Sequence, residues 1–110
     1  MPKRKLDPLP TAAFHILLAL SDGDLHGYGI MRSVAGLTGN RVRLGPGTLY
    51  GSIHSLLEEG LIEEVEEPQG RRRSYRLTAS GRKLARAEAE RLADVLRVAR
   101  AKRMFKGAYV

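Results

Sequence analysis

A helix with a marked start, a marked end and two unlike faces constrains the fold of this chain more than any other stretch. It lies within LGPGTLYGSIHSLLEEGLI, residues 44–62. Pro46 suits a first helical position, where its fixed φ is already helical and its missing N–H would have gone unbonded. Gly60 suits the left-handed residue just past a helix end. Leu49, Ile53, Leu56 and Leu57 recur at i, i+4, i+7 and i+8, one buried stripe on a 3.6-residue period. The other face carries Thr48, Tyr50, Gly51, Ser52, His54 and Ser55, small or hydrogen-bonding residues where an ordinary solvated face has Lys and Glu. Such a face can lie close against a polar surface. Periodicity alone reports burial, however, and a plain amphipathic helix with a short polar side fits the segment equally well.

Charge narrows the choice. Lys and Arg number 19 against 12 Asp and Glu, a formal net charge of +7 in 110 residues, which favours a polyanionic partner such as nucleic acid or an anionic membrane surface. The length is that of one domain with a modest core. With no cysteine there is no disulfide framework and no thiolate metal site, which fits a reducing compartment. The start MPKRKLDPLP has no apolar core of a signal peptide, and no run of about 18 apolar residues occurs, so neither export nor membrane spanning is expected.

In chain order, residues 1–9 read as a flexible basic arm in which Lys3, Arg4 and Lys5 can reach phosphate. TAAFHILLAL from Thr11 is apolar nearly all round, a first helix buried on more than one side. His15 within it reads as a hydrogen-bonded core or interface histidine, since no second ligand sits at a metal-binding spacing. Turn formers at Ser21–Asp24 precede a second helix from about His26, with Ile30, Met31, Val34 and Leu37 on its apolar stripe. Gly27 and Gly29 at its start point either to a close backbone approach or to a loosely wound first turn. Arg41 and Arg43 lie on the connection to the third helix.

After Gly60 the pattern changes to two short segments, Leu61–Glu67 and Arg72–Leu77, around Pro68, Gln69 and Gly70. This predicts a β-hairpin with Leu61, Ile62, Val65, Tyr75 and Leu77 inward and glutamates facing arginines across the strands. Thr78 is a fair N-cap for one long helix to about Arg103. Within it Ala85, Ala89, Leu92, Leu96 and Ala99 follow heptad spacing, widened by Leu84, Val95 and Val98. A helix that outruns a three-helix core points to a two-fold homodimer along this seam. The expected organisation is an arm over 1–9, a DNA-binding domain over 10–78, a dimerisation helix over 79–105 and a tail over 106–110.

Three helices and a two-stranded hairpin make a winged helix-turn-helix, so the fold class is mainly α with a small β-hairpin. A major groove about 12 Å wide admits one helix, and short polar side chains let that helix sit against base edges. The candidate DNA-binding set is Thr48, Tyr50, Gly51, Ser52, His54 and Ser55 on the third helix, with Arg41, Arg43 and the hairpin's Arg71, Arg72 and Arg73 on phosphates or in a minor groove.

The blocks HGYGI, GTLYGSIHSLLEEGLIE and GRRRSYRLTASGRKL, in this order and spacing, resemble the PadR family of bacterial transcriptional regulators. The resemblance covers about Pro10 to Arg103. It implies a winged-helix DNA-binding domain, a C-terminal helix that builds a homodimer, and cytoplasmic repression of a nearby promoter, often relieved by a small ligand. By position, Tyr50 matches the family tyrosine of the third helix and Thr48 the hydroxyl residue two places before it. Tyr75 and Thr78 match the second strand and the entry to the dimer helix. Many members have proline where this chain has Gly51. The chain resembles the short branch without a separate ligand domain, and it lacks the tryptophan of the drug pocket found in some short members.

No enzyme is expected: there is no cysteine nucleophile, no Gly-rich phosphate loop, and no metal spacing among His15, His26 and His54, so neither cofactor nor metal is assigned. The rival is a non-specific architectural or RNA-binding basic protein, which a charge of +7 alone would serve.

Overall fold

The computed structural model describes residues 6, 9–67 and 72–104. Two apolar segments meet first. Helix α1 (Thr11–Ala19) buries Ala13, Ile16, Leu17 and Ala19, and a 3-10 turn (Leu20–Asp22) follows it. Helix α2 (Gly27–Leu37) lays Ile30 and Val34 against it. Helix α3 (Pro46–Glu58) closes the core with Leu49, Ile53 and Leu56. The expected start and stop of α3 are both in place. Pro46 stands at its first turn, and Gly60 takes φ +69°. There Leu61 N–H donates to Leu56 O at 2.9 Å and Gly60 N–H to Leu57 O at 3.0 Å, which satisfies two carbonyls that a helix end otherwise leaves open.

The sheet has one strand more than the sequence predicts. Strands β2 (Ile62–Val65) and β3 (Ser74–Leu77) form the expected antiparallel pair, but β1 (Leu25–His26) joins on the other side of β3. Leu25 pairs with Tyr75 and His26 with Ser74. A two-residue strand leaves no periodicity in a sequence, so the segment reads as a turn running into a helix. Its anchor is instead tertiary: Arg76 makes a two-pronged contact with Asp24, Nη2 to Oδ2 at 2.9 Å and Nε to Oδ1 at 3.2 Å. That hydrogen bond holds the Asp24 carboxyl below its ordinary pKa. Arg76 thus makes its salt bridge with Asp24 rather than with Glu63, its register partner across β2, while Glu64 takes Arg73 at 3.2 Å.

Helix α4 (Ala79–Ala101) starts where predicted, with Thr78 Oγ accepting from Gly81 N–H at 3.0 Å. The same hydroxyl donates to Gly60 O at 2.7 Å, and Thr78 N–H donates to Leu61 O at 3.2 Å. Gly81 is buried on this junction, where a Cβ would stand 1.9 Å from Leu61 O. The ends of α3 and β3 and the start of α4 are therefore one knot.

Three expectations change. Leu37 is 62% exposed: it is the last residue of α2, and although its angle matches the α2 stripe it is left largely uncovered there. Leu6 and Leu9, placed in the arm by sequence, are buried with the core. Leu84 and Ala85 pack against the protomer's own core. The hairpin tip at Pro68–Gly70, most of the arm and the tail lie outside the described residues. Among the described residues no helix is long and apolar enough to cross a membrane.

Candidate nucleic-acid interface

The buried stripe of α3 decides which of its side chains face outward. With Leu49, Ile53 and Leu56 turned inward, Thr48, Tyr50, Gly51 and His54 stand exposed and Ser52 and Ser55 half-exposed, as the sequence predicts. The helix begins at Gly45 without a side-chain cap, so first-turn amides beside Gly47 and Thr48 are open to an acceptor. His54 Nε2 lies 3.5 Å from Glu58 one turn on, which steadies the imidazole on that face. A Cβ built on Gly51 meets no atom within 4 Å, so nothing within the protein requires glycine there.

Arg41 and Arg43 are exposed on the connection into α3. Arg72 and Arg73 are exposed beside β3, and Arg71 lies outside the described residues. The structure thus brings one residue of the outward α3 face, Tyr50, together with two arginines of the hairpin, while Thr48, Gly51, Ser52, His54 and Ser55 are not among the residues that line their shared pocket. That pocket, of about 450 Å³, is lined by His26, Gly27, Tyr28, Tyr50, Arg72, Arg73 and Tyr75.

Four of those residues were not assigned to a site by sequence. His26 is the N-cap of α2 and lies 3.4 Å from Glu67. Tyr28 is stacked under Arg32, whose guanidinium carbon is 5.9 Å from the ring centroid. Gly27 resolves the question its position raised, because a Cβ there would stand 2.6 Å from Tyr50 Oη: the close approach is by the Tyr50 ring. Tyr75, read as core, is only 4% exposed and yet reaches the pocket. Burial, with the nearby Glu64 charge, raises its phenol pKa, so the hydroxyl stays protonated and can donate. The HGYG block was the available signal, but the pocket depends on β1 pairing with β3 across about fifty residues of sequence, which no local pattern records.

Along α4 the predicted seam is uncovered in its C-terminal half. Leu92 is 40% exposed and Leu96 45%, with Val95 and Val98 also exposed, Ala89 exposed and Ala99 half-exposed. Among the described residues no group of three His, Cys, Asp or Glu is placed to hold a metal ion.

Comparison with known proteins agrees with this geometry. A transcriptional regulator of Mycobacterium tuberculosis is 39% identical over 70 residues, 62% of this chain and 63% of its own length. A transcriptional regulator from Clostridium thermocellum superimposes with a TM-score of 0.73 at 28% identity, covering 79% of this chain and 84% of that one. Bacillus subtilis PadR in complex with operator DNA superimposes with a TM-score of 0.65 at 25% identity, covering 73% of this chain and 48% of that one. The chain spans less than two thirds of the curated relatives it matches, only 22% in the case of a transposon-encoded protein from Streptomyces fradiae. The model of the transcriptional regulator PadR-like family matches residues 16–87, well over half the chain and every element from α1 to the first turns of α4, and the chain belongs to that family of regulators rather than to an enzyme family.

Proposed function

We propose that this chain is a sequence-specific, double-stranded-DNA-binding repressor that acts as a homodimer on a palindromic operator in the bacterial cytoplasm. Relief by a small ligand belongs to the same reading. The observation that carries it is the outward face of α3, built from Thr48, Tyr50, Gly51, Ser52, His54 and Ser55, whose Tyr50 shares a pocket with Arg72 and Arg73. A binder that used charge alone would be expected to carry Lys and Arg on that face. The operator complex of the Bacillus relative gives the fold a precedent on DNA. The exposed leucines of α4 supply the two-fold contact, and a palindrome matches a two-fold protein.

The test is a titration against the protein's own upstream region and against shuffled duplex at about 150 mM salt. Specific recognition gives a ratio of at least ~10³. Equal affinities would move the protein to the non-specific, architectural class.

Two substitutions separate grip from reading. Arg72→Ala weakens binding to every duplex and lowers the slope of log K against log salt by about 0.9 per protomer. An unchanged slope would remove the hairpin from the DNA contact. Gly51→Ala raises stability by about 0.5–1 kcal/mol, because alanine is the better helix former and the added methyl meets no protein atom. It lowers operator affinity, because the methyl stands between α3 and the groove. Thermal melts and operator binding check both halves, and a more stable variant with undiminished affinity would show that Gly51 does not face DNA.

A further inference from the structure

Gly27 and Tyr50 meet in the candidate interface, and each is held there by a different part of the fold. Gly27 follows directly on β1, whose Leu25 and His26 pair with Tyr75 and Ser74, and it opens α2, whose Ile30 and Val34 are fully buried. Tyr50 belongs to α3, which Leu49 and Ile53 anchor in the core. Neither backbone is free to recede. A Cβ at residue 27 would stand 2.6 Å from Tyr50 Oη and 3.1 Å from each of its Cε1 and Cζ. The hydroxyl end of the ring therefore rests against bare glycine backbone.

The consequence lies in the neighbours of Tyr50 on α3. Thr48, Gly51, Ser52, His54 and Ser55 make a face of mostly short side chains, and Tyr50, 51% exposed, is the largest side chain on it. A groove that admits one helix brings base edges only as near as the tallest side chain on the docking face allows. Swung outward, the phenol would hold α3 off; laid back on Gly27, it leaves the short side chains in front. A ring already seated also has less rotamer freedom to lose when duplex arrives.

The contact differs in kind from the one at Gly81. There a Cβ would meet a backbone carbonyl, whereas at Gly27 it meets the far end of a rotatable side chain. Gly27 does not have a positive φ, so alanine fits its backbone. A methyl at residue 27 thus turns the ring and spares the fold.

We propose that Gly27 is a positioning residue for DNA recognition: its bare backbone is the seat that holds the Tyr50 ring back from the front of α3, and it acts on duplex binding only through that ring. This role rests on the DNA-binding reading above.

A double-substitution cycle on the full chain tests it, read as affinity for the protein's own upstream region. Gly27→Ala lowers that affinity by about 10-fold, a coupling typical of residues in contact. Its melting temperature stays within about 4 °C of wild type. In a Tyr50→Ala background, with no ring to displace, the same change costs less than about 2-fold. Gly27→Ala with Tyr50→Phe falls between, because the atom at 2.6 Å is gone and the two ring carbons at 3.1 Å remain. The comparison within the Tyr50→Ala background decides the matter even if the single Gly27→Ala variant folds poorly. The seat is also read without DNA, as a nuclear Overhauser contact between Gly27 Hα and the Tyr50 ring protons in the wild type.

An equal loss from Gly27→Ala in both backgrounds, undiminished affinity of the single variant, or absence of that Overhauser contact overturns the positioning role while operator preference stands. A wild type that binds its upstream region no better than shuffled duplex overturns the DNA reading itself, and the positioning role with it.

Discussion

Gly81→Ala destabilises the fold by about 3 kcal/mol or more, a drop of at least ~12 °C in melting temperature. The methyl has no free direction: its position is 1.9 Å from Leu61 O and 2.8 Å from Leu77 Cδ1. A flexible side chain could swing aside, but the carbonyl cannot, because Leu61 O accepts from Thr78 N–H and the next residue back, Gly60, is fixed by its positive φ and by the Thr78 hydroxyl. Relief therefore requires α4 to lift off the end of α3. Gly36→Ala is the control, since a Cβ there meets nothing within 4 Å and the helix gains from alanine. Differential scanning calorimetry of the two variants decides the matter, and a Gly81→Ala melt within about 2 °C of wild type would mean that α4 does not dock on Leu61.

The double substitution Leu92→Asp with Leu96→Asp has the opposite profile: an intact protomer and a lost assembly. Both leucines are already 40–45% exposed in the single chain, so charge there removes little from the protomer's own core. In the proposed dimer the four aspartates face one another across the seam, and like charges in a desolvated contact are strongly unfavourable. Light scattering should report half the wild-type mass with an unchanged circular dichroism spectrum. Affinity for a palindromic operator should fall by about 100-fold or more, because the second half-site then binds as a separate event. A mass identical to wild type would place the dimer contact elsewhere.

What the sequence made legible follows the range over which each feature is decided. Pro46, Gly60 and Thr78 act on residues within one turn of themselves, and the helix ends they mark are where the structure has them. The outward face of α3 was equally legible, because it is the complement of a local stripe. Strand β1 was not, since Leu25 and His26 become a strand only through partners at Tyr75 and Ser74. The pocket was invisible for the same reason. Its buried phenol looked like a core residue because burial and accessibility to a cavity are indistinguishable in a pattern of apolar positions. Leu37 failed differently: its helical phase was right, but phase does not tell whether the end of a helix is covered.

The knot at Gly60, Thr78 and Gly81 also sets a length scale. α4 springs from the point where α3 stops, and its attachment is made of the short Thr78 side chain and the backbone of Gly60, Leu61, Thr78 and Gly81. In the proposed dimer each α3 is thus a fixed jaw on a rigid handle, and the pair acts as a calliper set to one opening. Half-sites moved a few base pairs closer or farther rotate to another side of the duplex, out of reach of jaws that cannot open to follow. Discrimination among operators then comes from spacing as well as from bases, and it is written into a glycine that never touches DNA.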